Sequence, residues 1–516
     1  MGSIDRFAWT EVQPGRWERD VDEIEEFYLT LDRQFSATGR HFFAIMGHVS
    51  ISMDLQPDQH LDSCERTLEN ALRQAWAALR LDHPTIASWV EYNGKQPRKV
   101  YESGETQTEK ERNLDTWLES TFRPVFTDKT GLEWCNSDPP VPKLPALFVL
   151  KTSESPVDGV ARQIVRRDLV LRAPHDIIDG IGTLLLFNNL LKHASAFLSQ
   201  TEPYQKPTLG KEHENLSPSF RIAANLPKAI SPSQLARIEE ITASNVALSK
   251  GLPILSMPFN NPHAPPGKHQ RVSTTLTAEK TASILNACRA LSLSITHAYH
   301  TAIAMAVRDV QPPVPESEPS PTQKRYINYC LINERAHCSP PYNTPSHAAA
   351  VYHSTSGAHL GLDLTVPGPR TPSSDKKDFA RLAPQVKAYY SSLRNDTAHP
   401  PLVPHYFTMA TPKDPCLKDW TSAEPPPIPE ASSTPSVSIS SMGRVDEIIA
   451  ARHGPLSVQD PWVTGEELGN GLGAFLGTFR GELRLSAAFN ETYQGEEEVE
   501  GFLARVQEIV DCVLEV

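Results

Sequence analysis

Apolar residues follow helical spacing in some segments of the chain and strand spacing in others, which predicts a mixed α/β fold. In residues 60–80 (HLDSCERTLENALRQAWAALR) they recur every three or four positions, the spacing of an amphipathic helix. Residues 42–53 (FFAIMGHVSISM) are apolar and β-branched without this spacing, so we predict a strand. Residues 496–514 (EEEVEGFLARVQEIVDCVL) return to helical spacing and predict a closing helix.

The same reasoning predicts further elements in both halves of the chain. Thr277 and Ser294 are placed to cap two consecutive helices, because their side-chain oxygens can accept hydrogen bonds from free backbone N–H groups. Asn93-Gly94 stands between two strand-like runs and favours a tight hairpin. Further helices are predicted over residues 21–36, 180–198, 277–291, 295–310 and 377–393, and further strands over residues 326–335, 351–362, 437–441 and, as a pair, 475–493.

The length of the chain predicts two lobes, because 516 residues exceed what one hydrophobic core usually organises. Residues 200–265 are poor in regular pattern and rich in Pro, Ser and Asn, so we interpret them as the crossing between the lobes. The predicted division is an N-terminal lobe over residues 1–215, a linker over 216–265 and a C-terminal lobe over 266–516. Two lobes of this size leave room for a cleft or a tunnel between them.

Composition and charge exclude several classes of partner. The net charge of −13 would repel a phosphate backbone, and no basic patch compensates for it, so nucleic acid is not an expected partner. No run of eighteen apolar residues is present, so we expect no membrane-spanning segment. The seven cysteines form no CxxC pair, and neither they nor the histidines have metal-site spacing. We therefore expect reduced thiols, a cytoplasmic protein and no metal.

A predicted strand pair leads into a loop that contains His175 and is suited to hold a catalytic residue. Two strands are predicted at residues 145–152 (PALFVLKT) and 162–173 (RQIVRRDLVLRA), with a turn at residues 155–159 (SPVDG) between them. The second strand leads into PHDIIDG, residues 174–180. Loops held by regular elements commonly carry catalytic side chains, which makes His175 the candidate catalytic residue.

A neutral imidazole is chemically suited to take a proton from a hydroxyl group. With an ordinary pKa of about 6.5, histidine is mostly unprotonated at neutral pH and can accept a proton while a substrate oxygen attacks a carbonyl carbon. The simpler interpretation is a loop histidine that only bonds a nearby backbone group. The position of His175, between a long strand pair and a helix, favours catalysis.

The spacing His-x-x-x-Asp-Gly, formed by His175, Asp179 and Gly180, resembles the signature of the superfamily of BAHD, condensation-domain and chloramphenicol acetyltransferase-like acyltransferases. The C-terminal TFRGELRLSAAFNETY and the last helix are similar to the closing elements of that superfamily. The proline-rich insertions and the segment SISSMGRVDEI are most similar to fungal acetyltransferases of the trichothecene 15-O-acetyltransferase type. Two features differ from other branches: Pro174 stands where condensation domains usually carry a first histidine, and the DFGWG segment of plant BAHD enzymes is absent.

The resemblance implies an α/β (α+β) fold of two chloramphenicol acetyltransferase-like lobes, each with a mixed or antiparallel sheet and helices. An active-site channel would lie at their interface. It also implies direct transfer of an acyl group from acetyl-CoA or another acyl-CoA to a hydroxyl of a hydrophobic secondary metabolite, with His175 as the general base and no acyl-enzyme. We expect no permanently bound cofactor and a monomeric protein.

The resemblance assigns supporting roles around the histidine as well. Asp179 is expected to turn away from the substrate and bind an arginine that fixes the loop, and Arg335, at the end of a predicted strand, is the candidate partner. Gly180 is expected to allow backbone angles or close packing that a side chain would prevent. An oxyanion donor is expected near Ser440 and Ser441 in the second lobe.

Two alternative functions stay open at the level of the sequence. A condensation-like enzyme or a cyclase of the same fold would act on a carrier-bound or free polyketide or peptide intermediate. A non-catalytic protein would use the same channel only to bind a small molecule. Hydrolase interpretations have no support, because the chain contains no G-x-S-x-G, Walker A or HExxH segment.

Overall fold

The computed structural model describes residues 4–55, 60–92, 96–152, 164–199, 209–312, 321–368, 370–420, 422 and 424–516. The turns predicted at Asn93-Gly94 and at residues 155–159 lie outside these ranges. No helix within them is both long and apolar enough to cross a membrane. The α-helices are α1 (Glu23–Phe35), α2 (Leu61–Asp82), α3 (Gln107–Thr121), α4 (Gly131–Cys135), α5 (Gly180–Ser199), α6 (Phe220–Ala223), α7 (Pro232–Leu248), α8 (Ala278–Ala290), α9 (Ile295–Asp309), α10 (Pro372–Arg394), α11 (Val403–Ala410) and α12 (Glu496–Leu514).

The strands alternate with these helices along both halves of the chain. They are β1 (Thr10–Gln13), β2 (Arg16–Asp20), β3 (Ile45–Asp54), β4 (Trp89–Glu91), β5 (Arg98–Glu102), β6 (Phe122–Thr127), β7 (Ala146–Thr152), β8 (Ile164–Ala173), β9 (Ile254–Leu255), β10 (His269–Thr275), β11 (Thr322–Asn328), β12 (Leu331–Asn333), β13 (His353–Thr355), β14 (Leu360–Val366), β15 (Val437–Arg444), β16 (Arg452–His453), β17 (Leu456–Gly465), β18 (Leu472–Phe479) and β19 (Glu482–Asn490).

Two sheets organise two separate hydrophobic cores. A six-stranded sheet in the order β16-β17-β3-β8-β7-β6 carries α2 and α5 on one side, and the apolar faces of these elements form the first core. A four-stranded sheet in the order β10-β19-β18-β15 packs with α8, α9 and α12 around the second core. Both sheets contain parallel and antiparallel pairs. The predicted fold class, two mixed α/β halves, is confirmed.

Strand β17 connects the two halves, because it comes from the C-terminal part of the chain and completes the N-terminal sheet. It pairs antiparallel with β3, from Leu456 opposite Met53 to Gly465 opposite Ile45. The register shifts between Gln459 and Trp462, which marks a bulge in the strand. Residues far apart in the chain therefore meet along one seam, while the proposed boundaries of the lobes stay a prediction.

Part of the segment that we interpret as the crossing between the lobes, residues 232–248, is helical. Helix α7 spans these residues, and its N-cap Ser231 forms a capping box with Gln234, while Pro232 occupies the first turn. Only Ile238 in this helix is buried. The helix therefore has almost no apolar face, and local capping rather than hydrophobic spacing specifies it.

Two predicted strands are each divided in the structure. Residues 326–335 separate into the end of β11 and the short β12, and residues 351–362 separate into β13 and the start of β14. The pairing partner changes at the break, because β11 pairs with β14 while β12 pairs with β13. Arg335 consequently lies in a single helical turn, Glu334–His337, rather than at the end of a strand.

Candidate active site

His175 lies in the loop between β8 and α5, at the wall of a cavity of about 220 Å³. Its side chain is deep in the molecule yet keeps some accessible surface, and that surface belongs to the cavity. Both halves of the chain contribute to the wall. The apolar lining residues include Phe27, Phe43, Ile45, Leu331, Phe407, Val463, Phe475 and Ala488. We call this space the acceptor cavity.

Two aromatic side chains hold the His175 ring in place. The ring of Tyr28, from α1, stacks on the imidazole with a centroid separation of 3.7 Å and an interplanar angle of 9°. His353, from β13, lies 5.5 Å away between ring centroids and shares a 2.8 Å hydrogen bond with the hydroxyl of Tyr28. Neither residue belongs to a sequence motif, so neither is among the site residues predicted from the sequence.

The surroundings keep the imidazole of His175 neutral. Burial, together with the neighbouring His353, lowers the pKa of His175 to about 3, even though the carboxylate of Asp179 offsets part of this effect. A neutral imidazole has a free lone pair on one ring nitrogen. His175 is therefore in the protonation state that a general base requires.

Asp179 holds the loop through three hydrogen bonds to protein donors. One carboxylate oxygen accepts from the backbone N–H of Gly182 at 2.7 Å. The other accepts from the backbone N–H of Tyr352 at 2.8 Å and from Nη1 of Arg335 at 2.8 Å. Burial alone would raise the pKa of Asp179, but the positive charge of Arg335 lowers it below the ordinary value. The carboxylate is therefore ionised, and its hydrogen bonds fix the loop.

Arg335 connects this loop to a segment of the second half. Besides Asp179, its guanidinium donates through Nη2 to the backbone oxygen of Ala350 at 3.3 Å. The backbone N–H of Asp179 donates to the same Ala350 oxygen at 3.2 Å. The structure thus brings together the two residues that the sequence analysis proposed as a pair, although they lie far apart in the chain.

Gly180 lines the acceptor cavity, but its expected steric role is wrong. It does not have a positive φ, and an added Cβ would stand at ordinary contact distances of 3.5 Å from Met442 and 3.6 Å from Val463. Gly182 is the glycine that packing requires. A Cβ there would stand 2.3 Å from the backbone oxygen of Ala348 and 2.9 Å from Nη2 of Arg335.

The two candidate serines lie on β15, on the second half's side of the cavity. Ser440 lines the acceptor cavity, and its hydroxyl has only a weak 3.7 Å contact to the sulfur of Met442. The hydroxyl of Ser441 is engaged with that of Thr296 at 2.9 Å. Ser438, two residues before Ser440, lines the same cavity. The alternation along a strand places Ser438 and Ser440 on one face.

Comparisons with known proteins agree with this geometry. No family model matches the chain. The chain is 25% identical over 491 residues to the acetyltransferase pigO of Monascus ruber, and the match covers 94% of this chain and 93% of that protein. The trichothecene 15-O-acetyltransferase TRI3 from Fusarium sporotrichioides superposes with a TM-score of 0.76 at 17% identity, covering 99% of this chain and 98% of TRI3. The first condensation domain of the calcium-dependent antibiotic synthetase superposes with a TM-score of 0.57 at 14% identity, covering 95% of each chain.

The protein is an acyltransferase. The predicted resemblance to the condensation-domain and chloramphenicol acetyltransferase-like superfamily is confirmed, both by the fold and by the fungal acetyltransferase among its relatives.

The acyltransferase carries a further ionisable group in the acceptor cavity. Glu467 lies just after β17, is buried, and accepts a 2.8 Å hydrogen bond from the backbone N–H of Gly469. Burial raises the pKa of Glu467 to about 7. Tyr329 lines the same cavity and feels the charge of Glu467, which helps to raise the pKa of this tyrosine. Glu467 therefore titrates near neutral pH inside the cavity.

The two glycines of the loop provide a matched pair of variants. Gly182→Ala is expected to lower stability by about 1–3 kcal/mol and to reduce activity, because the new methyl group overlaps the Ala348 carbonyl and the guanidinium of Arg335. Gly180→Ala should fold with nearly wild-type stability. Thermal melting of the two variants measures the difference, and equal melting temperatures would contradict this account of the loop.

Proposed function

We propose that this acyltransferase moves an acyl group, acetyl in the simplest case, from acyl-CoA to a hydroxyl of a hydrophobic secondary metabolite, with His175 as the general base. The observation that carries the proposal is the neutral His175 imidazole at the wall of a cavity of about 220 Å³ with mostly apolar lining. An apolar acceptor can occupy this cavity with its hydroxyl beside the imidazole. The name of pigO supports transfer of an acetyl group, and the name of TRI3 supports an oxygen atom as the acceptor.

A groove beside the acceptor cavity suits the acyl donor. It has a volume of about 700 Å³ and lies between the α8–α9 junction and strands β15 and β18. Arg289 and Arg444 stand in its wall, and guanidinium groups are well suited to bind the phosphates of CoA. Ser441 lines both spaces, so we place the thioester of the donor next to this serine.

In the proposed reaction the acceptor oxygen attacks the thioester carbonyl carbon while its proton passes to a ring nitrogen of His175. A new carbon–oxygen bond forms, and the carbonyl electron pair moves to the oxygen of a tetrahedral intermediate. Collapse of this intermediate breaks the carbon–sulfur bond, and the departing thiolate takes the proton from the imidazolium. The negative charge of Asp179 favours the transient imidazolium. No residue of the enzyme is acylated.

Ser440 is our candidate oxyanion donor. Its hydroxyl lines the acceptor cavity and gives up only a weak contact to the Met442 sulfur when it turns toward a ligand. The hydroxyl of Ser441 would have to leave its 2.9 Å hydrogen bond with Thr296. A hydroxyl aimed at the developing charge stabilises the intermediate most where water is excluded.

The test of the proposed function is an assay of the purified full chain with acetyl-CoA and a panel of apolar alcohols. Release of free thiol together with an acetylated product is the expected result. Activity only with a carrier-protein thioester would favour the condensation-like alternative, and tight binding without turnover would favour a non-catalytic binding protein. The cytoplasmic location and the monomeric state stay predictions.

The pH dependence of transfer tests the protonation state of His175. Because the pKa of His175 is lowered to about 3, its imidazole stays neutral as the pH falls from 8 to 5.5, and the base is not lost in this range. Glu467, with a pKa raised to about 7, does titrate there. We therefore expect the Glu467→Gln variant to show a flat profile of kcat/KM between about pH 5.5 and 8.

The wild-type enzyme is the control for this measurement, since any inflection that Glu467 causes near pH 7 appears there and is lost in the variant. An acid limb near pH 6.5 that persists in the Glu467→Gln variant would show that His175 has an ordinary pKa. In that case burial does not lower the pKa of His175 in the enzyme before substrate binds.

A further inference from the structure

A second, smaller cavity adjoins the acceptor cavity between β17 and the four-stranded sheet. Its volume is about 70 Å³, enough for a small polar group rather than a whole substrate. Met442, Val463 and Phe475 line both cavities, so the two spaces adjoin at these side chains.

Arg271, on β10, lies in the wall of the smaller cavity. Its side chain is buried, with 1% of its surface exposed. Its Nε and Nη1 atoms have no hydrogen-bond acceptor among the residues that the structure describes, and no carboxylate of those residues forms an ion pair with it. The guanidinium stands over the indole of Trp462 at 4.2 Å from the ring centroid. This contact orients the cation but accepts none of its N–H groups.

The carboxylates near Arg271 do not neutralise it. Asp460 forms its ion pair with Arg484, the second arginine of the cavity wall. The bulge of β17 positions Asp460, whose φ of 52° lies in the left-handed region. Glu482 also lines the cavity, but it is exposed at the rim and forms no ion pair with Arg271 in the described ranges.

An isolated buried cation is costly, because it loses hydration without gaining an opposite charge. Burial, together with the positive charge of the neighbouring Arg484, lowers the pKa of Arg271 to about 9, so the surroundings disfavour the charged guanidinium. At neutral pH the guanidinium still carries its proton. Protein atoms enclose Nε and Nη1, so an anion in the cavity would bind the guanidinium through Nη2, the nitrogen that is not enclosed.

We propose that the cavity beside Arg271 is a subsite for a carboxylate group on one of the two cosubstrates. The carboxylate would accept hydrogen bonds from Arg271, with Arg484 at the more exposed side. Two sources share this chemistry: a dicarboxylic acyl group on the CoA donor, or an acid group on the acceptor alcohol. The identity of the ligand as a cosubstrate rests on the proposed function, whereas the anion site itself does not.

Binding is tested on the full chain with malonate as the probe, in the absence of any cosubstrate. Malonate at about 50 mM is expected to raise the thermal midpoint of the wild type by ~2 °C or more above a chloride control of equal ionic strength. Arg271→Met should abolish this rise, and Arg271→Lys should retain part of it. Arg271→Met should also melt no lower than the wild type without malonate, since it removes an unpaired buried charge.

Arg80→Met is the matched control, because Arg80 is likewise buried over a tryptophan, Trp117, but does not line this cavity. The malonate effect should persist in this variant. No effect in the wild type, or an equal effect in the wild type and in Arg271→Met, would overturn the subsite and indicate that water alone solvates the guanidinium.

Kinetic measurements then separate the two sources of the carboxylate. One arm compares malonyl-CoA with acetyl-CoA, and the other compares an alcohol with its carboxylate-bearing analogue. Arg271→Met is expected to lower kcat/KM at least tenfold for the carboxylate-bearing compound of one pair. The value of kcat/KM for the compound without a carboxylate in that pair should stay unchanged. Equal effects on both members of both pairs would refute a cosubstrate subsite. A malonate effect that depends on Arg271, in a protein without transfer activity, would retain the anion site and reject the proposed function.

Discussion

The His175→Ala variant is expected to transfer acyl groups about 10² to 10⁴ times more slowly than the wild type, because general-base assistance typically contributes that much. This loss corresponds to roughly 3–5 kcal/mol of transition-state stabilisation. It should appear in kcat rather than in the binding of CoA, since the proton moves only during the reaction. Steady-state kinetics over both cosubstrates provide the measurement.

Two further variants separate catalysis from packing, because His175→Ala also removes the ring that stacks on Tyr28. His175→Gln retains most of the volume but no basic nitrogen, and it should be as slow as the alanine variant. Tyr28→Phe keeps the stacked ring and removes only the hydroxyl bonded to His353, so it should lose much less. Wild-type turnover in a folded His175→Ala protein, or a stable acyl-enzyme after rapid quenching, would refute direct transfer.

The sequence predicts the loop of His175 well because its signals are local. The strand before the loop, the helix after it and the spacing His-x-x-x-Asp-Gly all fall within 40 residues, and the structure has β8, the loop and α5 in this order. Elements with strong periodicity, such as α2 and α12, are found for the same reason. The apolar faces of both helices are buried, and the spacing of apolar residues every three or four positions indicates such a buried face.

Strand β17 shows what a local pattern cannot predict. Its sequence, LSVQDPWVTG, is interrupted by the bulge at Asp460, so neither strand alternation nor helical spacing survives. Its partner β3 lies some 400 residues earlier in the chain, and no local signal specifies that pairing. Yet β17 contributes Val463 to the acceptor cavity and Trp462 to the smaller one. A strand that local sequence patterns do not predict therefore completes the site.

Single residues that act through position alone are equally hard to predict. Tyr28 and His353 contact His175 from two separate elements, and only the assembled fold brings them together. Gly182 did offer a signal, since it follows Gly180 in the run DGIG, but the two glycines cannot be ranked without knowing what surrounds each. The Asp179–Arg335 pair was accessible because the resemblance supplied the expectation of an arginine.

The Arg335→Met variant is expected to lose about 3–5 kcal/mol of stability, because it leaves the Asp179 carboxylate buried without its counter-charge. Both side chains are almost fully buried, at 7% and 4% exposure, so water cannot replace the partner. Two backbone N–H groups, those of Gly182 and Tyr352, still bond the carboxylate, and they keep the loss within this range. Urea unfolding followed by circular dichroism gives the difference in unfolding free energy.

A double-mutant cycle shows whether the loss belongs to the pair. Asp179→Asn alone should also be destabilising, because it removes the negative charge beside the buried guanidinium of Arg335. The guanidinium then keeps its hydrogen bonds to the Ala348 and Ala350 backbone oxygens. The double variant Asp179→Asn/Arg335→Met should be less destabilised than the sum of the two single variants, with a coupling of about 1–3 kcal/mol.

At temperatures where Arg335→Met is still folded, its kcat should fall while the KM for CoA donors changes little, because the pair positions the His175 loop and does not touch the donor groove. Additive losses in stability would mean that the pair does not stabilise the loop. A folded Arg335→Met enzyme with unchanged kcat would mean that the pair does not position the imidazole.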